Sequence, residues 1–132
     1  MNNIYSLFLS DLASNSLILE KPKRNRSKFK KTRKRIMEEL EKIDLYPGES
    51  IDIKIDEDKL YCTAFRNSGD LLLVTFYNPT SVKSYVARQM LKDIIKKVSS
   101  LTKNYGVRPF LYFWRIFEII LFLEHGSDLD LF

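Results

Sequence analysis

Glycine and proline are scarce, four of each in 132 residues, so Gly-rich phosphate cradles and long flexible linkers have almost no material to form from. A single cysteine, Cys62, excludes an intramolecular disulfide. There is one histidine, His125, and no Cys-x-x-Cys pair, so metal sets and nucleophile–base pairs lack their usual components. His125 reads as a helix-end surface residue between Glu124 and Gly126. The opening Met-Asn-Asn-Ile-Tyr has neither the basic start nor the apolar run of a signal peptide. The longest apolar stretch, 107–123, is interrupted by Arg108, Arg115 and Glu118 and is poorly suited to spanning a bilayer. These absences point to a reducing, cytoplasmic setting, with peripheral contact at membranes left open, and to a protein without catalytic residues, cofactor or metal.

What is present is core material. Hydrophobic residues make up 45% and aromatics 13%, enough for one packed domain over 1–132 with a short acidic-hydrophobic tail at 126–132. The net charge of +5 is unevenly placed. Ten of the 22 basic residues fall in 21–35, a run without an acid, which leaves twelve basic against seventeen acidic residues elsewhere. The positive charge is a patch, not a general property.

Residues 4–9 are apolar on both alternating sets, the pattern of a strand buried on both faces, and Leu17, Ile18 and Leu19 resume as a second strand before Pro22 ends pairing. From Ser27, read as an N-cap, Phe29, Ile36, Leu40 and Ile43 recur at helical spacing. Lys34 with Glu38 and Arg35 with Glu39 are spaced for i,i+4 pairs. Cations at this helix's start oppose the macrodipole, which marks them as serving something besides stability. Tyr46-Pro47-Gly48 is the expected stop. Ile51, Ile53 and Ile55 alternate with Asp52, Lys54 and Asp56 as a half-buried strand. Strands at 59–66 and 71–77 flank a turn at 67–70, the second apolar on both sides. A helix is expected from Asn78-Pro79, with Val82, Val86, Met90, Ile94, Val98 and Leu101 on its apolar stripe, and a last helix over about 109–124. The order β-β-α-β-β-β-α-α predicts an α+β fold with a five-stranded antiparallel sheet in which 4–9 and 71–77 are central neighbours.

That order is the order of the longin domain. Ile-Tyr-Ser-Leu-Phe-Leu-Ser-Asp at 4–11 resembles the opening strand of longin-type subunits of vesicle-tethering complexes, and 59–75 resembles their central hairpin. The helix with Ala87, Leu91 and Ile95 resembles the one that follows it. The chain opens with a strand, where the related roadblock fold opens with a helix. The resemblance implies a longin/profilin-like, non-enzymatic protein-interaction module in small-GTPase regulation or membrane trafficking. It would be homo- or hetero-oligomeric, with a small GTPase or another longin or roadblock subunit as partner.

Two candidate surfaces follow from the residues. Lys23, Arg24, Arg26, Lys28, Lys30, Lys31, Arg33 and Lys34 could bind an anionic membrane, an acidic protein or nucleic acid, or form a solvated face. Phe29 is the run's one aromatic and belongs to the apolar stripe, which ranks nucleic acid below the other partners. The 109–124 segment has so few polar residues that one face is left over for a partner, with Tyr112, Trp114 and Phe117 as anchors. Asp52, Asp56, Glu57 and Asp58 lack the spacing of an EF-hand loop and read as a solvated acidic turn.

Overall fold

The computed structural model describes residues 4–21 and 25–105. In chain order they form β1 (Ile4–Asp11), β2 (Ser16–Lys21), α1 (Arg26–Ile43), β3 (Ser50–Asp56), β4 (Leu60–Arg66), β5 (Leu71–Tyr77) and α2 (Ser84–Tyr105). All neighbouring strands pair antiparallel.

The expected five-stranded, β-β-α-β-β-β-α-α architecture is corrected in how β2 joins the sheet and in where the described order closes. The strands run β2-β1-β5-β4-β3: outside the four-strand body β1-β5-β4-β3, β2 joins as an outer hairpin partner of β1, its pairing interrupted by a register shift between Leu9 and Ser10. The described order closes on α2, and the described residues hold two helices. Each of the two serves one face of the sheet. Phe29, Ile36 and Leu40 of α1 pack with Phe8, Cys62, Ala64, Leu72, Val74 and Phe76. Ala87, Met90, Leu91, Ile94 and Ile95 of α2 pack with Ile4, Leu7, Leu9, Leu71, Leu73 and Tyr77. The further helix predicted over 109–124 lies outside the described residues.

Strand placement follows from patterning. β5 is buried at all seven positions and β1 at six of eight, so both sit inside the sheet and pair with each other from Ile4↔Tyr77 to Asp11↔Leu71. β3 alternates half-buried isoleucines with exposed Asp52, Lys54 and Asp56, and takes the edge. Ile4 and Leu7 share a face although three residues apart, because the register shifts between Ile4 and Ser6. That shift leaves the Tyr5 carbonyl to accept from the Asn25 side-chain amide.

Three expected boundaries move. Asn25, not Ser27, is the N-cap of α1, and its side chain bonds β1 in place of the helix's own N–H groups. The helix stops at Asp44, whose left-handed backbone (φ 54°) lets its N–H reach the Leu40 carbonyl at 3.3 Å, ahead of Pro47 and Gly48. Asn78 caps a turn, accepting from Thr80 N–H at 3.0 Å, and α2 begins only at Ser84. Val86, expected on the buried stripe, is 47% exposed, because the face of α2 that meets the sheet is centred on Ala87, Leu91 and Ile94.

A polar chain crosses from surface to core beneath α2. Arg88 donates to Asp52 Oδ2 at 2.7 Å, and the Thr63 hydroxyl donates to Asp52 Oδ1 at 2.8 Å. Thr63 has then used its one proton, so the buried Tyr77 hydroxyl, 2.9 Å away, donates to it. Burial pushes the Tyr77 phenol above its ordinary value and keeps it a donor. Thr63→Val preserves shape but strips Asp52 and Tyr77 of this partner. Urea denaturation should show a loss of about 1–3 kcal/mol with an unchanged slope, and a smaller loss for Thr63→Ser.

Candidate functional site

The cationic run lies on α1, and the helix divides its charges by position. Residues 26–35 hold seven cations and no acid, whereas 36–44 hold Glu38, Glu39, Glu41 and Asp44 against Lys42 alone. Phe29 fixes the rotation of the N-terminal half. Its ring stacks on Phe76 at 5.3 Å and on Tyr5 at 6.2 Å, and Phe8 lies 5.8 Å from Phe76.

With α1 so fixed, the arginines and lysines part company. Arg33 forms an ion pair with the buried carboxylate of Glu20 in β2. Arg26 Nε donates to the Glu20 carbonyl at 3.2 Å. Arg35 pairs with Glu39 at 3.3 Å. Lys28, Lys30, Lys31 and Lys34 are exposed, and none enters an ion pair among the described residues. Lys34 and Glu38 do not form the i,i+4 pair their spacing predicts. Lys28 arches over the Tyr5 and Phe29 rings at 5.9 and 5.5 Å, a cation–π contact that keeps its ammonium at the surface. Lys23 and Arg24 lie outside the described residues, as do Tyr112, Trp114, Phe117 and His125.

Glu20 is the residue that sequence reading missed. Its carboxylate is about 1% exposed, with Oε2 on Arg33 and Oε1 without a hydrogen-bond partner. Burial raises its pKa above the ordinary 4.5, while Arg33 and Arg26 act in the other direction. A glutamate just before Pro22 carries no local signal, because its partner lies thirteen residues on.

Elsewhere the chemistry is quiet. Cys62 is fully buried, and desolvation pushes its thiol well above the usual range. Among the described residues, no group of three or more His, Cys, Asp or Glu could hold a metal ion. Asp52 is committed to Thr63 and Arg88. A cleft of about 330 Å³ opens beside the end of α1, between Met37, Leu40, Asp44, Leu45 and Arg66. Arg66 donates to the carbonyls of Leu45 and Gly69 and to Asp70, so its guanidinium is held by the protein. No described helix is long and apolar enough to cross a membrane.

Arg33 therefore belongs to the fold. Arg33→Met leaves the Glu20 carboxylate buried without its cation and should cost about 3 kcal/mol at pH 7, with Glu20→Gln costing less. The pH dependence has a definite sign. A carboxyl whose folded pKa is raised contributes stability that is fully present below its ordinary 4.5 and is lost as pH rises through the folded value. Removing Arg33 raises that value further, so the loss in R33M should be small at about pH 4 and grow toward pH 7 in urea melts.

No family model, no curated protein and no solved structure matches the chain.

Proposed function

We propose that the chain is a non-enzymatic protein-interaction module of the longin type, working as a subunit or adaptor in small-GTPase regulation or membrane trafficking. The observation that carries this reading is the β3 edge. Among the described residues β3 pairs only with β4, and none of them covers its outer row of backbone N–H and C=O groups. Beside that row the α1 face of β3 offers Ile51, Ile53 and Ile55, all half-buried. The chain entering the strand adds Ile43 and Tyr46, 45% and 65% exposed. Apolar and aromatic groups beside an open edge fit a partner that adds backbone pairing and covers side chains together. The resemblance carried by 4–11 and 59–75 gives the class of partner.

Nucleic acid is the weaker reading. Apart from Arg26 and Arg35, which bond Glu20 and Glu39, the exposed cations of α1 are lysines, and Phe29, the aromatic among them, is buried, which provides no stacking platform.

Affinity purification of the full chain with identification of bound proteins tests the proposal. A small GTPase or a longin- or roadblock-type subunit should be recovered and retained at about 0.5 M salt, where charge contacts are screened within roughly 4 Å. Tyr46→Ala should weaken that retention. Recovery of nuclease-sensitive RNA or DNA as the sole companion would overturn it.

A further inference from the structure

We infer that the lysine face of α1 is a docking surface for an anionic lipid bilayer, engaging through the N-terminal half of the helix and excluded from contact at the C-terminal half. This goes beyond the protein-interaction reading and is independent of it, since it uses α1 and leaves the β3 edge unoccupied.

The first support is the sorting of cations. Of the seven in 26–35, the three arginines each have a partner in Glu20 or Glu39, Arg26 and Arg35 while still exposed, and the four exposed lysines enter no ion pair among the described residues. A planar guanidinium suits bidentate recognition of a particular phosphate or base, whereas an ammonium on a flexible stem acts as a hydrated point charge. The surviving set therefore reads total charge, not a defined anion geometry.

Its shape agrees. At about 100° per residue, Lys28, Lys30, Lys31 and Lys34 fan over roughly 160° of the circumference, within about 9 Å of helix length. Such a convex fan, with stems that bend, can bring all four ammonium groups to one plane. It has no concavity to enclose a strand and no exposed aromatic to stack a base. Lys28, resting on the Tyr5 and Phe29 rings, sits where the helix meets the sheet and limits how far α1 can roll on the plane.

The charge gradient sets orientation. Glu38 and Glu41 continue the outer ridge beyond Lys34, and both are exposed. An anionic plane attracts one end of α1 and repels the other, so the helix meets it tilted, N-terminus down. The positive end of the macrodipole then points toward the lipid, which turns the intramolecular cost of clustering cations there into a contribution to binding.

Co-sedimentation of the full chain with sucrose-loaded vesicles tests this. Vesicles of phosphatidylcholine alone should leave the protein in the supernatant, while a roughly 70:30 mixture with phosphatidylserine should pellet it at low salt. Each lysine should contribute on the order of fivefold. K34Q alone should weaken binding about that much, and the quadruple K28Q/K30Q/K31Q/K34Q should lose it while keeping the wild-type melting curve. Raising salt to about 0.5 M should release the wild type. E38K/E41K, which extends the cationic ridge, should bind more tightly than wild type. Equal binding to both vesicle types, or retention by the folded quadruple variant, would overturn the proposal. So would tighter lysine-dependent binding to duplex or single-stranded DNA at the same salt, which would assign the face to nucleic acid. A failed E38K/E41K gain with the other results intact would overturn the tilted orientation, and none of these outcomes alters the partner-recovery experiment.

Discussion

A carboxylate buried in an outer strand decides how the cationic run is used. Glu20 in β2 cannot remain ionised out of water without a cation beside it, and Arg33 supplies one across thirteen residues of chain. Arg26 adds a bond to the same residue's carbonyl. These contacts and the Phe29–Phe76 stack fix α1 against the β1–β2 side of the sheet, and so fix which cations turn outward. A helix rolled by one residue would expose Arg33, bury a lysine and leave Glu20 alone. The lysine face is thus a consequence of the fold's own electrostatic requirement.

What was legible in the sequence was what strict periodicity writes. Ile51, Ile53 and Ile55 named β3 and its half-buried state. The doubly apolar runs of β1 and β5 named the centre of the sheet, where they do lie side by side. Phe29, Ile36 and Leu40 named the inner face of α1. What was not legible depends on partners distant in sequence. Asn25 reads as an ordinary loop residue until the bulge at Tyr5 presents a carbonyl to it. Arg33 is indistinguishable from Lys30, Lys31 and Lys34 in the sequence until Glu20 is folded against it. Asn78-Pro79 carries a helix-start signal in full, yet Asn78 spends its side chain on a turn and the helix waits for Ser84. A phase error of one position put Val86 on the inner stripe of α2, because an apolar set on a 3.6-residue period can be drawn along either of two adjacent rows.

The same distinction bears on the acidic residues. Asp52 sits among Asp56, Glu57 and Asp58 in sequence but is separated from them in space by its bonds to Thr63 and Arg88. Asp58 takes a left-handed backbone (φ 64°) in the turn that joins β3 to β4, a role short polar side chains tolerate. What looked like one cluster is a tether for α2 at one end and turn chemistry at the other.

Two sides of the molecule therefore carry different physics. The outer face of α1 presents unpaired ammonium groups whose attraction is long-ranged, undirected and weakened by salt. The β3 edge presents backbone hydrogen-bonding groups beside half-buried isoleucines, whose attraction is short-ranged, directional and largely indifferent to salt. A surface of the first kind raises the rate and frequency of encounter, and one of the second kind holds a particular partner. Because α1 engages through its N-terminal half, whereas Ile43 and Tyr46 follow its C-terminal end on the way into β3, occupation of one leaves the other available. A protein held at an anionic surface by its lysines would keep its sheet edge turned to a partner, because Glu38, Glu41 and Asp44 lie between the two surfaces along the chain.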